Sequence, residues 1–333
     1  MNVERIAKYE RFAEVKEEWN ALLSGSTQIS PFLTHQWFDA WWQSFGGKSS
    51  LEILVFRDDA GSMAGVAPLM ISDGSVGFIA SHEVTDYCDV IHSENRRSEI
   101  YACLWDQIQK NSPDWPRVEL INIPGGSPTL TELPRLAAGR GYICAMQKSE
   151  IAPKLQLPDS YEEYLASLGR KNRHEIRRKI RKLSALGQIR IQRIREPSKL
   201  GDSIAAFMSL HRASSPEKES FWKKRGMPCF FNTLASLFSL ENWVELSVLY
   251  AADRAIASLL SFHYGGTVYF YNIAYDKEFS PYSPGFALFH HAIEQAIAEN
   301  VSLVDFLRGR EKYKYFFGAK ESKIYSLKLR RRA

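Results

Sequence analysis

One order of elements occurs twice in this chain, and no other feature limits its fold as much. In the first half, LEILVFR (51–57) and SMAGVAPLMI (62–71) are strand-like runs joined through Asp58-Asp59-Ala60-Gly61. Asp73-Gly74 then turns the chain into a third run, SVGFIA (75–80). After a loop, RRSEIYACLWDQIQK (96–110) places Ile100, Cys103, Leu104 and Ile108 on one helical stripe, and the strand RVELINI (117–123) follows. The second half repeats this order. ELSVLYA (245–251), AIASLLSFHY (255–264) and TVYFYNIAY (267–275) precede a helix from Phe286 and the strand SLVDFL (302–307). Matching hairpins stand roughly 195 residues apart, which predicts a duplicated unit. Three antiparallel strands, a crossover helix and a further strand define an α/β (α+β) unit with a mixed, mostly antiparallel sheet flanked by helices. The repeat assigns residues 1–155 to one domain and 156–333 to the other, the second introduced by a basic helix over 161–186.

Composition agrees with two globular domains. The 333 residues are 45% apolar and 13% aromatic, enough for substantial cores. Cys88, Cys103, Cys144 and Cys229 form no C-x-x-C pair, so they read as structural thiols in a reducing compartment. The N-terminus MNVERIAKYERF lacks the apolar stretch of a secretory signal, and no apolar run reaches the roughly 20 residues of a membrane span. A cytoplasmic protein is expected. The net charge of +5 is local in origin: RKNRHEIRRKIRK (170–182) carries eight Arg or Lys against one Glu. The remainder is slightly acidic, which argues against a wholly cationic surface. Ile176, Ile180 and Leu183 give this segment an apolar stripe opposite a basic face.

The stretch EFSPYSPGFALFHHAIEQAIAEN (278–300) lies where the third hairpin strand gives way to the helix. Ser283 suits the helix cap, Pro284 the first helical position, and Gly285 admits close approach to the backbone. Residues 283–286, Phe286 included, therefore read either as an ordinary helix start or as a notch for a phosphate, drawn by free amides and the helix dipole. The matching place in the first half, ASHEVTDYCDVIHSENRR, has no glycine before its helix. Only the second copy has the composition of a phosphate notch.

These elements resemble the GNAT acyltransferase fold used twice in one chain. The tandem arrangement is similar to the Fem-type aminoacyl transferases and to bacterial acetyltransferases of the CelD-like type, associated with cellulose and exopolysaccharide biosynthesis. The residues that carry the likeness are PFLTHQWFDAWWQSFGG (31–47), DSYEEYLASLGRKNRHEIRRKIRKL (159–183), YSPG (282–285) and DFLRGREKYKYFFG (305–318). The resemblance implies acyl transfer from acetyl-CoA or another acyl-CoA to an amine or hydroxyl of a sugar or cell-envelope precursor. It also implies a donor site at Ser283, Pro284, Gly285 and Phe286. Lys314, which matches the lysine of the relatives' Arg-Gly-x-x-x-Tyr-Lys pattern, is implied to contact a phosphate. The Phe279–Gly285 loop contains two prolines where GNAT enzymes carry a glycine-rich loop.

Transfer from a thioester requires a neutral nucleophile, a stabilised oxyanion and a proton for the departing thiolate. His263, at the end of a strand, is either the base or an outward-facing strand residue. Asp305, inside an apolar strand, is either catalytic or paired structurally with Arg308 or Arg310. Tyr313 and Tyr315 are proton donors or packing residues of the segment KYKYFF. Arg173 and Arg177 of the basic helix, with Arg308, are candidates for an anionic acceptor such as a nucleotide sugar. Adjacent His290 and His291 point about 100° apart on a helix, a poor metal pair, and no metal is expected. Trp37, Trp41 and Phe45 share one helical face and read as core. Besides a catalytically inactive scaffold, since duplicated domains often lose one active copy, two rival functions remain. One is a Fem-like transferase using aminoacyl-tRNA, although 198–240 is short for the helical hairpin those relatives insert. The other is a nucleic-acid-binding protein using 170–182, which lacks interleaved aromatics and a recognition fold.

Overall fold

The computed structural model describes residues 1–332 other than His82, so one position of the first half's loop lies outside the described residues. The chain forms two compact units, Met1–Glu150 with the chain from Ser322 onward, and Ile151–Glu321.

The first unit opens with β1 (Asn2–Ile6), α1 (Tyr9–Glu14), α2 (Lys16–Ser24) and α3 (His35–Phe45). Trp37 and Trp41 of α3 are buried in its core. Each strand expected in the first hairpin then divides, into β2 (Ser50–Leu51) and β3 (Ile53–Arg57), and into β4 (Met63–Ala67) and β5 (Leu69–Ser72). Pro68, with no amide to donate, stands at one break. The chain continues through β6 (Ser75–Phe78), β7 (Ile91–His92), α4 (Arg97–Lys110), β8 (Arg117–Pro124) and α5 (Thr129–Ala137). One sheet is antiparallel in the order β1-β3-β4-β7. In the other, β2, β5 and β6 run antiparallel and β6 lies parallel to β8.

β9 (Tyr142–Gln156) leads into the second unit and to α6 (Tyr161–Ser167) and α7 (Arg170–Ser184). The single basic helix expected over 161–186 is thus two helices, separated by Leu168 and Gly169 in extended conformation. Leu168 is buried there, and Arg173 Nη1 donates to the carbonyls of Leu165, Ala166 and Leu168, closing the end of α6. Next come β10 (Ile189–Ile194), α8 (Pro197–Ser214), α9 (Pro216–Lys223) and α10 (Met227–Leu240). The expected repeat follows as β11 (Val244–Ala251), β12 (Arg254–Tyr264), β13 (Thr267–Tyr275), α11 (Pro284–Ala298), β14 (Leu303–Asp305) and α12 (Lys312–Phe316). Its sheet runs β10-β11-β12-β13-β14-β9, antiparallel except between β13 and β14. The last strand, β15 (Lys320–Arg331), had been expected within the second domain. It instead pairs with β8 of the first unit from Ile324 to Arg330.

Leu288, Phe289, Ile293 and Ala296 of α11 share a core with Ala257 and Leu259 of β12 and Val268 and Phe270 of β13. Each large side chain buried there contributes about 1.5–3 kcal/mol. Two irregularities of β13 shape what lies beyond this core. The strand pairs with β14 only through Thr267–Tyr269, so the sheet opens from Phe270 onward. A bulge places Leu260 opposite Asn272 and Ser261 opposite Phe270, leaving Tyr271 as the extra residue. Tyr271 turns to Phe231 and Phe262, and the phase of the strand changes. Phe270 meets α11 through Phe289, yet Ile273 and Tyr275 face the start of the same helix.

Candidate functional site

Between β13 and α11 the chain makes a 3-10 turn, Lys277–Tyr282, in which the Asp276 carboxylate accepts the Glu278 amide. The Ser283 amide donates to Ser280 O, and Ser283 adopts the left-handed conformation, φ 55° and ψ 49°. In that conformation its side chain does not cap the helix, contrary to expectation. Pro284 brings no N–H, and the Ala287 amide reaches Ser283 O at 3.2 Å. The amides of Gly285 and Phe286 are then the first-turn donors without an intrahelical acceptor, at the positive end of the helix dipole.

This first turn borders a cavity of about 320 Å³. Ile273 and Tyr275 of β13 form one wall, Ser283–Phe286 and Phe289 another, and Lys179 and Tyr313 complete the lining. Lys179 Nζ donates to the uncapped Ser283 Oγ at 3.4 Å and lies 4.4 Å from the centroid of the Phe286 ring. Tyr313 stacks on Phe289, with centroids 4.9 Å apart and planes 13° from parallel. Burial, assisted by the Glu311 carboxylate, raises the Tyr313 phenol above its ordinary value, so near neutral pH it is a proton donor. Just behind Ile273, Lys218 Nζ of α9 donates to the Ile273 carbonyl at 2.7 Å, and burial lowers its ammonium to about 8.

Five of the residues singled out in the sequence therefore meet at one cavity: Ser283, Pro284, Gly285, Phe286 and Tyr313. The others lie elsewhere. Lys314 is buried, and its ammonium donates to Leu307 O at 3.0 Å and Arg308 O at 2.7 Å while pairing with Glu311 at 3.0 Å. It holds a turn together and faces no phosphate notch. Asp305 is fully buried, accepts the Leu307 amide at 2.8 Å, and pairs with Lys154 of β9 at 3.2 Å. His263 is opposite Val268, six strand positions from the Ala257–Tyr275 pair beside the cavity. At about 3.3 Å per residue that is about 20 Å away. There it neighbours Glu245, which pairs with Arg193 and Arg195, and burial lowers the imidazole to about 4.

Nη1 of Arg173 is engaged by the end of α6, as described above, and Arg173 is not part of the cavity lining. Arg177 is exposed on α7, and Arg308 is a half-buried turn residue outside the cavity lining. Tyr315 OH donates to Glu321, and His290 meets Tyr161 OH at 2.6 Å. Among the described residues no group of three His, Cys, Asp or Glu could hold a metal. Sequence reasoning missed Lys179, although a signal existed. Lys179 follows Ile176 by three positions and so shares the inward face of α7. In the first unit, the helix that matches α11 starts among carboxylates: Glu94 pairs with Arg97 and Glu99 with Arg96. Each arginine there is committed to a carboxylate.

Three antiparallel strands, a crossover helix and a parallel strand that diverges from the third make the GNAT acyltransferase fold, here in a mixed α/β chain of the tandem type. Residues 170–315 match the acetyltransferase (GNAT) domain family. Among solved structures the chain is similar to FemX, at 11% identity over 98% of this chain and 97% of that one, with a TM-score of 0.64. It is also similar to the C-terminal domain of a putative lysylphosphatidylglycerol synthetase from Agrobacterium fabrum, at 11% identity, 95% and 91% coverage and a TM-score of 0.61. A tandem GNAT protein from the clavulanic acid biosynthesis pathway matches at 10% identity, 98% coverage of both chains and a TM-score of 0.51. At such identities the likeness is one of fold. No curated protein matches the sequence. Among the described residues, no helix is long and apolar enough to cross a membrane.

Proposed function

We propose that this protein transfers an acyl group directly from acetyl-CoA or another acyl-CoA to a hydroxyl or amine of a sugar or cell-envelope precursor, as an enzyme of the CelD-like exopolysaccharide type. The observation that supports this reading is the cavity at the start of α11, where two first-turn amides and the Lys179 ammonium converge. A diphosphate suits those donors and the dipole behind them. As the acceptor oxygen or nitrogen bonds to the thioester carbon, the carbon–sulfur bond breaks, the Tyr313 proton passes to sulfur, and the proton that the acceptor loses restores the Tyr313 phenol. Arg177, exposed on α7, draws the anionic acceptor. The reaction belongs in the cytoplasm, where coenzyme A thioesters are available.

Isothermal titration of the full chain with acetyl-CoA tests the donor. One-to-one binding supports the reading, and no heat at millimolar donor overturns it. An aminoacyl-tRNA donor is the second reading, favoured by the exposed cations Arg170, Lys171, Arg177 and Arg178 along α7. Under that reading tRNA binds with a steep negative dependence on salt, and acetyl-CoA does not bind.

A further inference from the structure

A second, larger concavity shares no lining residue with the cavity at α11. It lies on the other face of the second unit's sheet. Ala257 and Leu259 pack in the core with α11, so Ser258 between them points the opposite way, beside its cross-strand partner Val248. There α8 leaves an open pocket of about 500 Å³, walled by Ile194, Phe207, Leu210, Val248 and Tyr250. Of the serines in the lining, Ser203 donates to Lys199 O and Ser209 is exposed, which leaves Ser258 as the buried polar point. The residue is 2% exposed, and its Oγ is buried without a hydrogen-bond partner. A buried hydroxyl left unpaired is costly and uncommon, and here it lines a space large enough for a small ligand. The remaining charge in the lining is the exposed carboxylate of Asp202, which disfavours an anion.

We infer that this pocket is a second binding site, for an uncharged apolar molecule with a single hydroxyl or similar group that hydrogen-bonds Ser258 Oγ. Shape selects the body: flat or branched hydrocarbon surface fits against Phe207, Leu210 and Val248. The orphan hydroxyl selects the polar group, because a ligand lacking one leaves Ser258 unsatisfied. The inference is independent of the donor bound at α11.

The probe is 2-naphthol, titrated by fluorescence into the full chain, with naphthalene and 2-naphthoate as comparators. Saturable one-site binding is expected, about tenfold tighter for 2-naphthol than for either comparator. Ser258→Ala brings naphthol and naphthalene to equal affinity. Ala206→Phe, at an exposed position of the α8 wall, abolishes binding of both. Acetyl-CoA titration of the same variants remains unchanged, which separates this site from the one at α11. Absence of saturable 2-naphthol binding, or an affinity that neither substitution alters, overturns the assignment.

Discussion

Replacing Lys179 with alanine removes one charge from the rim of the α11 cavity while leaving its first-turn amides in place. Lys179 Nζ is 3.4 Å from Ser283 Oγ, so an anionic oxygen held by the same turn comes within about 4 Å of the ammonium. Opposite unit charges at that distance attract by about 4 kcal/mol at an effective dielectric near 20, and by about 1 kcal/mol in bulk water. The side chain is half-buried, and solvent screening reduces the interaction to about 1.5–2 kcal/mol. That corresponds to a Kd for acetyl-CoA weaker by about ten- to thirtyfold. The ammonium also lies over the Phe286 ring, a contact whose loss costs the fold less than about 1 kcal/mol, so the variant stays folded. Isothermal titration at low and high salt gives the readout, and the gap between parent and variant narrows as salt rises. Lys182→Ala is the control. Its ammonium is 5.6 Å from the Tyr282 ring and outside the cavity lining, and its effect stays below about threefold. A Lys179→Ala affinity within twofold of the parent at low salt refutes the placement of the phosphate at the start of α11.

Tyr313→Phe removes the cavity's phenolic proton but keeps the ring stacked on Phe289. Turnover with acetyl-CoA falls by about a hundredfold while donor Kd is unchanged; an undiminished kcat excludes Tyr313 as the acid. Lys314→Met strands the carbonyls of Leu307 and Arg308 and lowers stability in urea by about 2–4 kcal/mol with donor affinity intact. A shift in donor affinity without a loss of stability would restore Lys314 to the site. The pH dependence of folding reports on Glu245. Burial works to raise this carboxyl, but Arg193, His263 and Arg195 outweigh it and lower it from 4.5 to about 2. The folded value is depressed, so the stabilisation is complete above about pH 4.5 and is lost as pH falls toward 2, a change of about 3 kcal/mol. Glu245→Gln flattens that acid limb in urea titrations at several pH values, and an unchanged limb contradicts the assignment.

The alternating strands and the apolar stripe of α11 were legible in the sequence because periods of 2 and 3.6 survive without tertiary information. Proline at the break between β4 and β5 was equally visible, though its consequence, two sheets from one hairpin, depends on which partners accept each half. The bulge at Tyr271 was hidden. An extra residue on a strand reveals itself only through its cross-strand register, and it decides that Ile273 and Tyr275 face the cavity. Lys314 illustrates the opposite error. A motif lysine reads as a phosphate ligand until the chain folds and two backbone carbonyls converge on its ammonium. Asp305 and His263 were sound as isolated candidates, since buried carboxylates and strand-end imidazoles often do chemistry. Their partners, Lys154 and the Glu245 cluster, come from distant segments that a linear reading does not bring together.

β8 receives its antiparallel neighbour from residues 324–330, roughly two hundred positions further along the sequence. The earlier segment therefore emerges with an unfilled sheet edge, which stays open until residues 324–330 have followed. Deleting residues 324–330 would harm the portion of the molecule synthesised first. A fragment ending near residue 150 would be prone to self-association through its vacant strand position.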